Sequence, residues 1–317
     1  MIITTGAQQA IYLLARALCD PGDRVVVEDP AYVGALQAFG ASGASIVAVA
    51  SDDEGMRTDL LEEMLTTGPP PKCVYVVTDF QNPTGATLSK DRRRHLAALA
   101  DHHGFVVVAD DPYGELRFHG EQHSSIRNDG SVTVVSLGSA SKVLSPGLRV
   151  GWMVVPEWLH RPVVRAKQSV DLHTSTLTQL LVAELFADRQ FMAQHLSGIR
   201  AEYADRALAL VSELRHCLRE RIELRDPHGG MFVWVRFTDD TDTAALLRCA
   251  LQHGVAFVPG SAFSRGDRYN NYARLCFTTL GRRDLADAAQ CLALAHVVYL
   301  AGAMATLPTS TRRPDDA

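Results

Sequence analysis

Six short runs in the first half of the chain are apolar over most consecutive positions rather than at alternate ones: RVVVED (24–29), SIVAV (45–49), CVYVVTD (73–79), FVVVAD (105–110), VTVVSLG (132–138) and RVGWMVV (149–155). A strand that is apolar on both faces must be covered on both, which is the condition of parallel strands with helices above and below them. Helix-like stretches do lie between the runs. Ile11, Leu14, Ala15 and Leu18 recur at helical spacing, and SKDRRRHLAALADHHG (89–104) opens on a capping serine, Ser89, and closes on Gly104. The pattern predicts an α/β fold with a doubly wound, mostly parallel sheet. From about residue 160 it changes to long helices (160–187, then 188–219), short strands in IELRD, GMFVWVRF, VAFVPG and YARLCFTT, and a last helix from about 282, which reads as a smaller α+β domain. We expect a large domain over 1–185, a C-terminal small domain over 186–305 and a disordered tail over 306–317.

Charge narrows the function. With 31 basic against 36 acidic residues and a net charge of -5, the chain has no basic footprint for nucleic acid or an anionic membrane. Small-molecule chemistry is the expectation. The six cysteines are scattered without a C-x-x-C and read as free thiols in a reducing, cytoplasmic compartment; no basic stretch opens the chain as a secretory signal would. The apolar run at 291–307 is shorter than a membrane span needs and holds His296, so a packed C-terminal helix is expected. His119 and His123 are four apart but flank a Gly120-containing loop, and His102 and His103 sit in the last turn of a helix, so no metal site is expected.

In open α/β sheets ligands bind beyond the carboxyl ends of the strands, so the polar residues after each run matter most. The opening segment, residues 1–5, runs into TTGAQQA (4–10), a turn into a helix whose free N–H groups suit a phosphate. The later runs lead into Asp29, Pro30, Ala31 and Tyr32; into QNPTG (81–85); into Asp110, Asp111, Pro112 and Tyr113; and into Ser139, Ala140, Ser141 and Lys142. Each alone is ordinary, since Asn-Pro-x-Gly is a common turn and a strand-ending acid a common cap. Five in this order, each after a strand, are not.

On these residues, and on DPAYVGALQAFG, DDPYGELRF, GSASKVLSPGLRVGW, GGMFVWV, VAFVPGSAF and ARLCFTTL, the chain resembles the fold type I, pyridoxal-phosphate-dependent aminotransferases of class I/II, most of all the 2-aminoadipate and kynurenine aminotransferase subgroup. The resemblance implies that Lys142 forms a Schiff base with pyridoxal 5'-phosphate and moves the substrate α-proton. It implies that Asp110 faces the pyridine nitrogen, that Tyr113 and Asn82 bond the phenolic oxygen, and that Tyr32 stacks on the ring. The phosphate would be held by Gly6, Ala7, Gln8, Ser139, Ser141 and Arg149, with Ala7 standing where some relatives have a serine. Asn82 and Arg274 would bind substrate, Arg274 gripping its α-carboxylate as a planar fork. The segment at 171–179 would line a dimer interface or the substrate mouth, or cap a helix through its Ser and Thr residues.

The implied partners are an α-amino acid, a 2-oxo acid and a second copy of the chain, with no nucleic acid, membrane or metal. Relatives carry a further N-terminal segment that is expected to be missing here. Two alternatives stay open in such a chain: a regulatory or non-catalytic aminotransferase-like module, and another reaction of the same cofactor, such as elimination.

Overall fold

The large sheet turns its chain direction at one place, and that place organises the molecule. The protein is described by a computed structural model at residues 1–126, 132–239, 241–266 and 268–305. The tail expected at 306–317 lies outside the described residues. The first half runs β1 (Ile2–Thr4), α1 (Ala7–Leu18), β2 (Arg24–Asp29), α2 (Val33–Ala41), β3 (Ser45–Asp52), β4 (Gly55–Met56), α3 (Thr58–Thr67), β5 (Cys73–Val77), α4 (Lys90–His103), β6 (Val106–Asp110), β7 (Val134–Ser139) and β8 (Gly151–Val154). These strands form one sheet in the order β1-β8-β7-β6-β5-β2-β3-β4. The central strands β7, β6, β5, β2 and β3 pair in parallel, while β1, β8 and β4 join antiparallel at the two sides. From β2 the chain winds one way to β3 and then the other way through β5, β6 and β7, so the switch point lies between β2 and β5.

The runs that form β2, β5 and β6 are buried on both faces as their composition requires, whereas the SIVAV run in β3 is only half-buried, with Val49 inside and Ala48 exposed. Val25, Val27, Cys73, Tyr75, Val106 and Val108 pack with Ile11, Leu14 and Phe39 on one side, and Val26, Val74, Val76 and Val107 pack with Leu61, Leu96 and Phe105 on the other. The caps of α4 follow the sequence: Ser89 accepts from the Arg92 amide, and Gly104 closes the helix at φ 75°.

The second half runs α5 (Glu157–Asp171), α6 (Thr176–Ala187), α7 (Arg189–Leu218), β9 (Ile222–Leu224), β10 (Phe232–Phe237), α8 (Thr243–Gln252), β11 (Val258–Pro259), β12 (Tyr272–Cys276) and α9 (Arg282–Ala305). Its four strands make a second, antiparallel sheet in the order β11-β12-β10-β9. The helix expected over 160–187 is two helices. Leu172 stands at φ 61°, and the break lets Asp171 and Thr174 both reach the buried ammonium of Lys167, at 2.8 and 3.1 Å. Of the two readings of 171–179, helix capping is not met at Ser175, which precedes α6 with no side-chain cap.

The two cores meet along α7. Its Leu196 and Ile199 pack on the large sheet's core, and its Ala207, Leu210, Val211 and Leu214 belong to the smaller one. The run at 291–307, expected to be too short for a membrane span, forms the second half of α9 over its described residues, 291–305. The helix begins at Arg282, and by length and composition Arg282–Gly302 is long and apolar enough to cross a membrane. Its Leu285, Ala289, Leu292, Ala295 and His296 are buried in the smaller core beside α7 and α8.

One close approach ties the sheet to the first turn. A Cβ on Gly151 would lie 2.7 Å from the carbonyl carbon of Gly6 and 2.8 Å from the Ala7 amide nitrogen, both backbone. Gly151→Ala should therefore lower the free energy of urea unfolding by about 1–3 kcal/mol, the usual cost of overpacking. Gly147→Ala is the comparison, since its nearest neighbour would be the Ser145 hydroxyl at 3.8 Å; it should leave the unfolding midpoint in place.

Candidate functional site

The β2–β5 ladder stops at Val27 and Tyr75, and beyond it the two strands part. That leaves the Val77 amide without a strand partner on this side, and the side-chain carboxyl of Glu28 accepts from it at 2.9 Å. Gln81 donates to the Pro30 carbonyl at 2.7 Å and accepts from the Thr84 amide and hydroxyl, which folds the turn after β5 into the gap. A cavity of about 330 Å³ opens above these strand ends, lined among others by Gln8, Tyr32, Asn82, Asp110, Lys142 and Arg274.

One end of the cavity is a cradle of donors. Ala7 and Gln8 open α1, where amide hydrogens have no partner within the helix. Gly6 precedes them at φ 86°, and a Cβ there would meet the Arg149 guanidinium at 2.4 Å, so the glycine is needed both for conformation and for space. Arg149 holds a left-handed φ of 51° while its guanidinium donates to the Thr5 carbonyl at 3.1 Å, the Pro146 carbonyl at 3.2 Å and the Ser141 hydroxyl at 3.4 Å. The Ser139 hydroxyl accepts from the Ser141 amide at 3.1 Å.

Behind this end, Lys167 ties Asp171, Thr174 and the Gln9 side chain together, and Gln9 accepts from the Thr5 amide at 2.8 Å. The start of α1 is thus held from both sides.

The floor carries the opposite charge. Asp110 ends β6, is buried, and accepts from the Tyr75 hydroxyl at 2.6 Å through Oδ2, while its Oδ1 is buried with no partner among the described residues. Burial raises its carboxyl to about 6, against the bond from Tyr75 and the charge of Lys142. Burial raises Asp111 to about 6 as well, and Glu28 to about 8. Lys142 follows β7, and its amine is held below a lysine's usual range, first by burial and further by Arg149 and Arg274.

The smaller sheet closes the other end. Arg274, on β12, lies over the rings of Phe232 and Phe263, 4.2 and 5.2 Å from their centres, and donates to Asn82 Oδ1 at 2.8 Å. Its Nε is buried without a partner among the described residues. Tyr113 meets Phe232 edge to face and is raised above a phenol's range by burial first, with Asn82 as a hydrogen-bond partner. Tyr32 donates to Gln8 Oε1 at 3.1 Å, and Gln8 donates to the Gly34 carbonyl at 2.8 Å. A Cβ on Gly34 would strike both side chains, at 2.3 and 2.6 Å.

Ala7, Gln8, Tyr32, Asn82, Asp110, Tyr113, Ser139, Ser141, Lys142, Arg149 and Arg274 all line this one cavity. Gly6 stands beside it, against Arg149. Four participants were not singled out from the sequence: Tyr75, Glu28, Phe232 and the side chain of Gln8. Tyr75 and Glu28 lie inside apolar runs and carried one available signal, a polar group where both faces of a strand are covered.

The family described as Aminotransferase class I and II matches residues 1–292. The aromatic-amino-acid aminotransferase 1 of Thermococcus litoralis is 40% identical over 283 residues, which is 88% of this chain and 68% of that protein. The 2-aminoadipate transaminase of Thermus thermophilus is 39% identical over 292 residues, 90% of this chain and 72% of that protein. A crystal structure of the Pyrococcus horikoshii kynurenine aminotransferase in complex with PMP superposes with a TM-score of 0.88 at 39% identity, covering 94% of this chain and 75% of that one.

The buried acids make a pH prediction. A carboxyl whose proton is held more tightly when folded makes the folded state bind more protons than the unfolded one, so stability falls as pH rises from the unfolded value through the folded one. For Glu28 that window runs from an ordinary carboxyl to about 8. Between pH 6 and pH 8 Glu28 should remove about 2 kcal/mol of unfolding free energy. Glu28→Gln, which keeps an acceptor for the Val77 amide, should flatten that slope by the same amount in chemical denaturation; an unchanged slope would show that Glu28 is charged throughout.

Proposed function

The chain belongs to the class I and II aminotransferases and is a pyridoxal-phosphate-dependent enzyme that moves an amino group between an amino acid and a 2-oxo acid, and from that premise we propose which of its residues carry the reaction. Lys142 is the amine that bonds the cofactor and moves the proton, Asp110 faces the ring nitrogen, and Arg274 grips the substrate carboxylate. The observation that supports this reading above all is Asp110 Oδ1, a buried and unpartnered carboxylate oxygen in a cavity that also holds Lys142. The chemistry of the donor set fits the group: helix-start amides, two serine hydroxyls and a guanidinium suit a phosphate at one end, and a buried anion suits a protonated nitrogen at the floor.

When bound, pyridoxal phosphate supplies an electron sink for the pair left behind as the amino acid's Cα–H bond breaks. The chain's residues do the rest. Lys142, its amine easier to deprotonate than a solvated lysine, acts as nucleophile and then takes the α-proton at Nζ. Asp110 keeps a proton on the ring nitrogen. Tyr113 and Asn82 offer hydrogen bonds to the phenolic oxygen, and Tyr32, braced by Gln8, covers the ring face. Gly6, Ala7, Gln8, Ser139, Ser141 and Arg149 hold the phosphate. Arg274, already oriented by Asn82 and two rings, presents a planar fork to the substrate carboxylate. The same atoms serve the return half-reaction on a 2-oxo acid, which gives ping-pong kinetics.

The reading takes 1–185 as the cofactor-binding domain and 186–305 as the small domain, with α7 as their joint. It extends to a cytoplasmic homodimer. Free thiols fit a reducing compartment, and exposed Leu172, Leu177, Leu180 and Leu181 gather around the break between α5 and α6, where a second copy would cover them.

Two measurements test the reading. With Lys142→Ala, oxo-acid release from an amino acid should slow by about 10⁴-fold or more, while Arg274→Lys should raise the amino-acid KM by about tenfold or more with a smaller change in kcat; wild-type turnover by the first variant would end the assignment. Joint replacement of Leu177 and Leu180 by Asp should shift the mass measured by light scattering from two copies to one, and a variant that stays a dimer would place the interface elsewhere.

A further inference from the structure

Tyr75 has no place in the machinery above, yet it touches the one carboxylate that machinery turns on. It sits in the middle of β5, paired with Val27 on one side and Val108 on the other, and is fully buried. The β5–β6 register pairs Val77 with Asp110, so Tyr75 and Asp110 are diagonal neighbours on one face of the sheet. Phe39 packs edge-on against the tyrosine ring with centroids 6.1 Å apart. Its hydroxyl donates to Asp110 Oδ2 at 2.6 Å, the length of a charge-assisted bond, and Oδ1 is left as the unpartnered oxygen. Burial pushes the Tyr75 phenol well above its ordinary range, so it remains a donor throughout.

We propose that Tyr75 is a positioning residue: its hydroxyl fixes the rotation of the Asp110 carboxylate so that Oδ1 faces the cavity, and keeps that carboxylate charged against burial. The inference rests on the reading of Asp110 as the partner of the ring nitrogen. A carboxylate with no bond on Oδ2 can turn about its side chain and takes a proton more readily, and either change removes the anion that a protonated nitrogen needs. Asp111, which follows it, and Lys142, beyond β7, also act on Asp110, and its charge in turn raises Glu28, on β2, and the phenols of Tyr32 and Tyr113. Among these Tyr75 is the hydrogen-bond donor that favours the ionised form.

The test is equilibrium binding of pyridoxal phosphate to the apoprotein across the acid range, a readout independent of turnover. In the wild type, affinity should fall on the acid side as Asp110 protonates at about 6. Tyr75→Phe should move the midpoint of that fall up by about one pH unit while affinity above it changes only a few-fold. Replacing Tyr75 by 3-fluorotyrosine, a stronger donor of the same shape, should move it down. Glu28→Gln, an equally buried change on the neighbouring strand, should leave it in place, because Glu28, raised to about 8, is already uncharged where Asp110 titrates.

The cofactor's own phosphate titrates in every one of these proteins, so the differences between them report the protein. A Tyr75→Phe profile weakened equally at all pH values, with its midpoint unmoved, would overturn the proposal and leave Tyr75 a packing residue. Asp110→Asn separates the two levels. Introduced into both the wild type and the Tyr75→Phe variant, it should abolish the acid-side difference between them; if Asp110→Asn instead titrates like the wild type, the reading of Asp110 fails and the inference falls with it.

Discussion

The parting of β2 from β5 beyond Val27 and Tyr75 is the constraint on which the cavity depends. A sheet that stayed zipped would bury the strand ends; one that opened without compensation would leave backbone groups dry and unbonded. The chain meets this with buried polar side chains. Glu28 takes the Val77 amide, Gln81 takes the Pro30 carbonyl, and Tyr75 takes half of the Asp110 carboxylate. Among the described residues, Glu28 Oε1 is left buried and unpaired beneath the cavity; the unpaired Asp110 Oδ1 at the floor and Arg274 Nε at the far wall belong to residues that line it, where a ligand of opposite polarity can use them. Acid at the floor faces Lys142, Arg149 and Arg274 around the same space; burial first, and then the two guanidiniums, lower the lysine's proton affinity against the pull of Asp110, and anionic groups have room at both ends.

Holding that arrangement costs stability elsewhere. Arg149 and Phe80 both stand at positive φ without being glycine, which only a well-anchored backbone sustains. Arg149 is anchored by three hydrogen bonds from its own guanidinium. Phe80 is wedged against Gly229 and Gly230, where any Cβ would fall within 2.6 Å of it, and Arg117 covers its ring while bonding Asp79. Asp79 also receives buried Arg93 at 2.7 Å. The wedge sits between the turn carrying Asn82 and the strand carrying Phe232, so the two sheets are joined at the point where Asn82 meets Arg274.

The sheet was legible because its strands are apolar on both faces, and the strand-end residues were legible because open α/β sheets bind ligands there. Lys142, Asp110 and Arg274 stood out by family resemblance and stand around one cavity. What escaped has physical reasons. The break at Leu172 is driven by Asp171 and Thr174 converging on Lys167, a tertiary network that no helical periodicity encodes. α9 begins before its most apolar stretch, because its first turns bury only Leu285 and Ala289 among charged neighbours. Tyr75 and Glu28 hide in apolar runs because their polar atoms serve partners on adjacent strands, and strand pairing is not visible in one sequence.

The central claim is that Lys142, above a floor set by Asp110, is the residue to which the cofactor bonds. Borohydride reduction of the protein loaded with pyridoxal phosphate, followed by proteolysis and mass spectrometry of the peptides, reads that bond directly. The account predicts a single reduced pyridoxyl adduct, on the peptide that contains Lys142. An adduct on Lys167 or on surface lysines, with the Lys142 peptide unmodified, would contradict it.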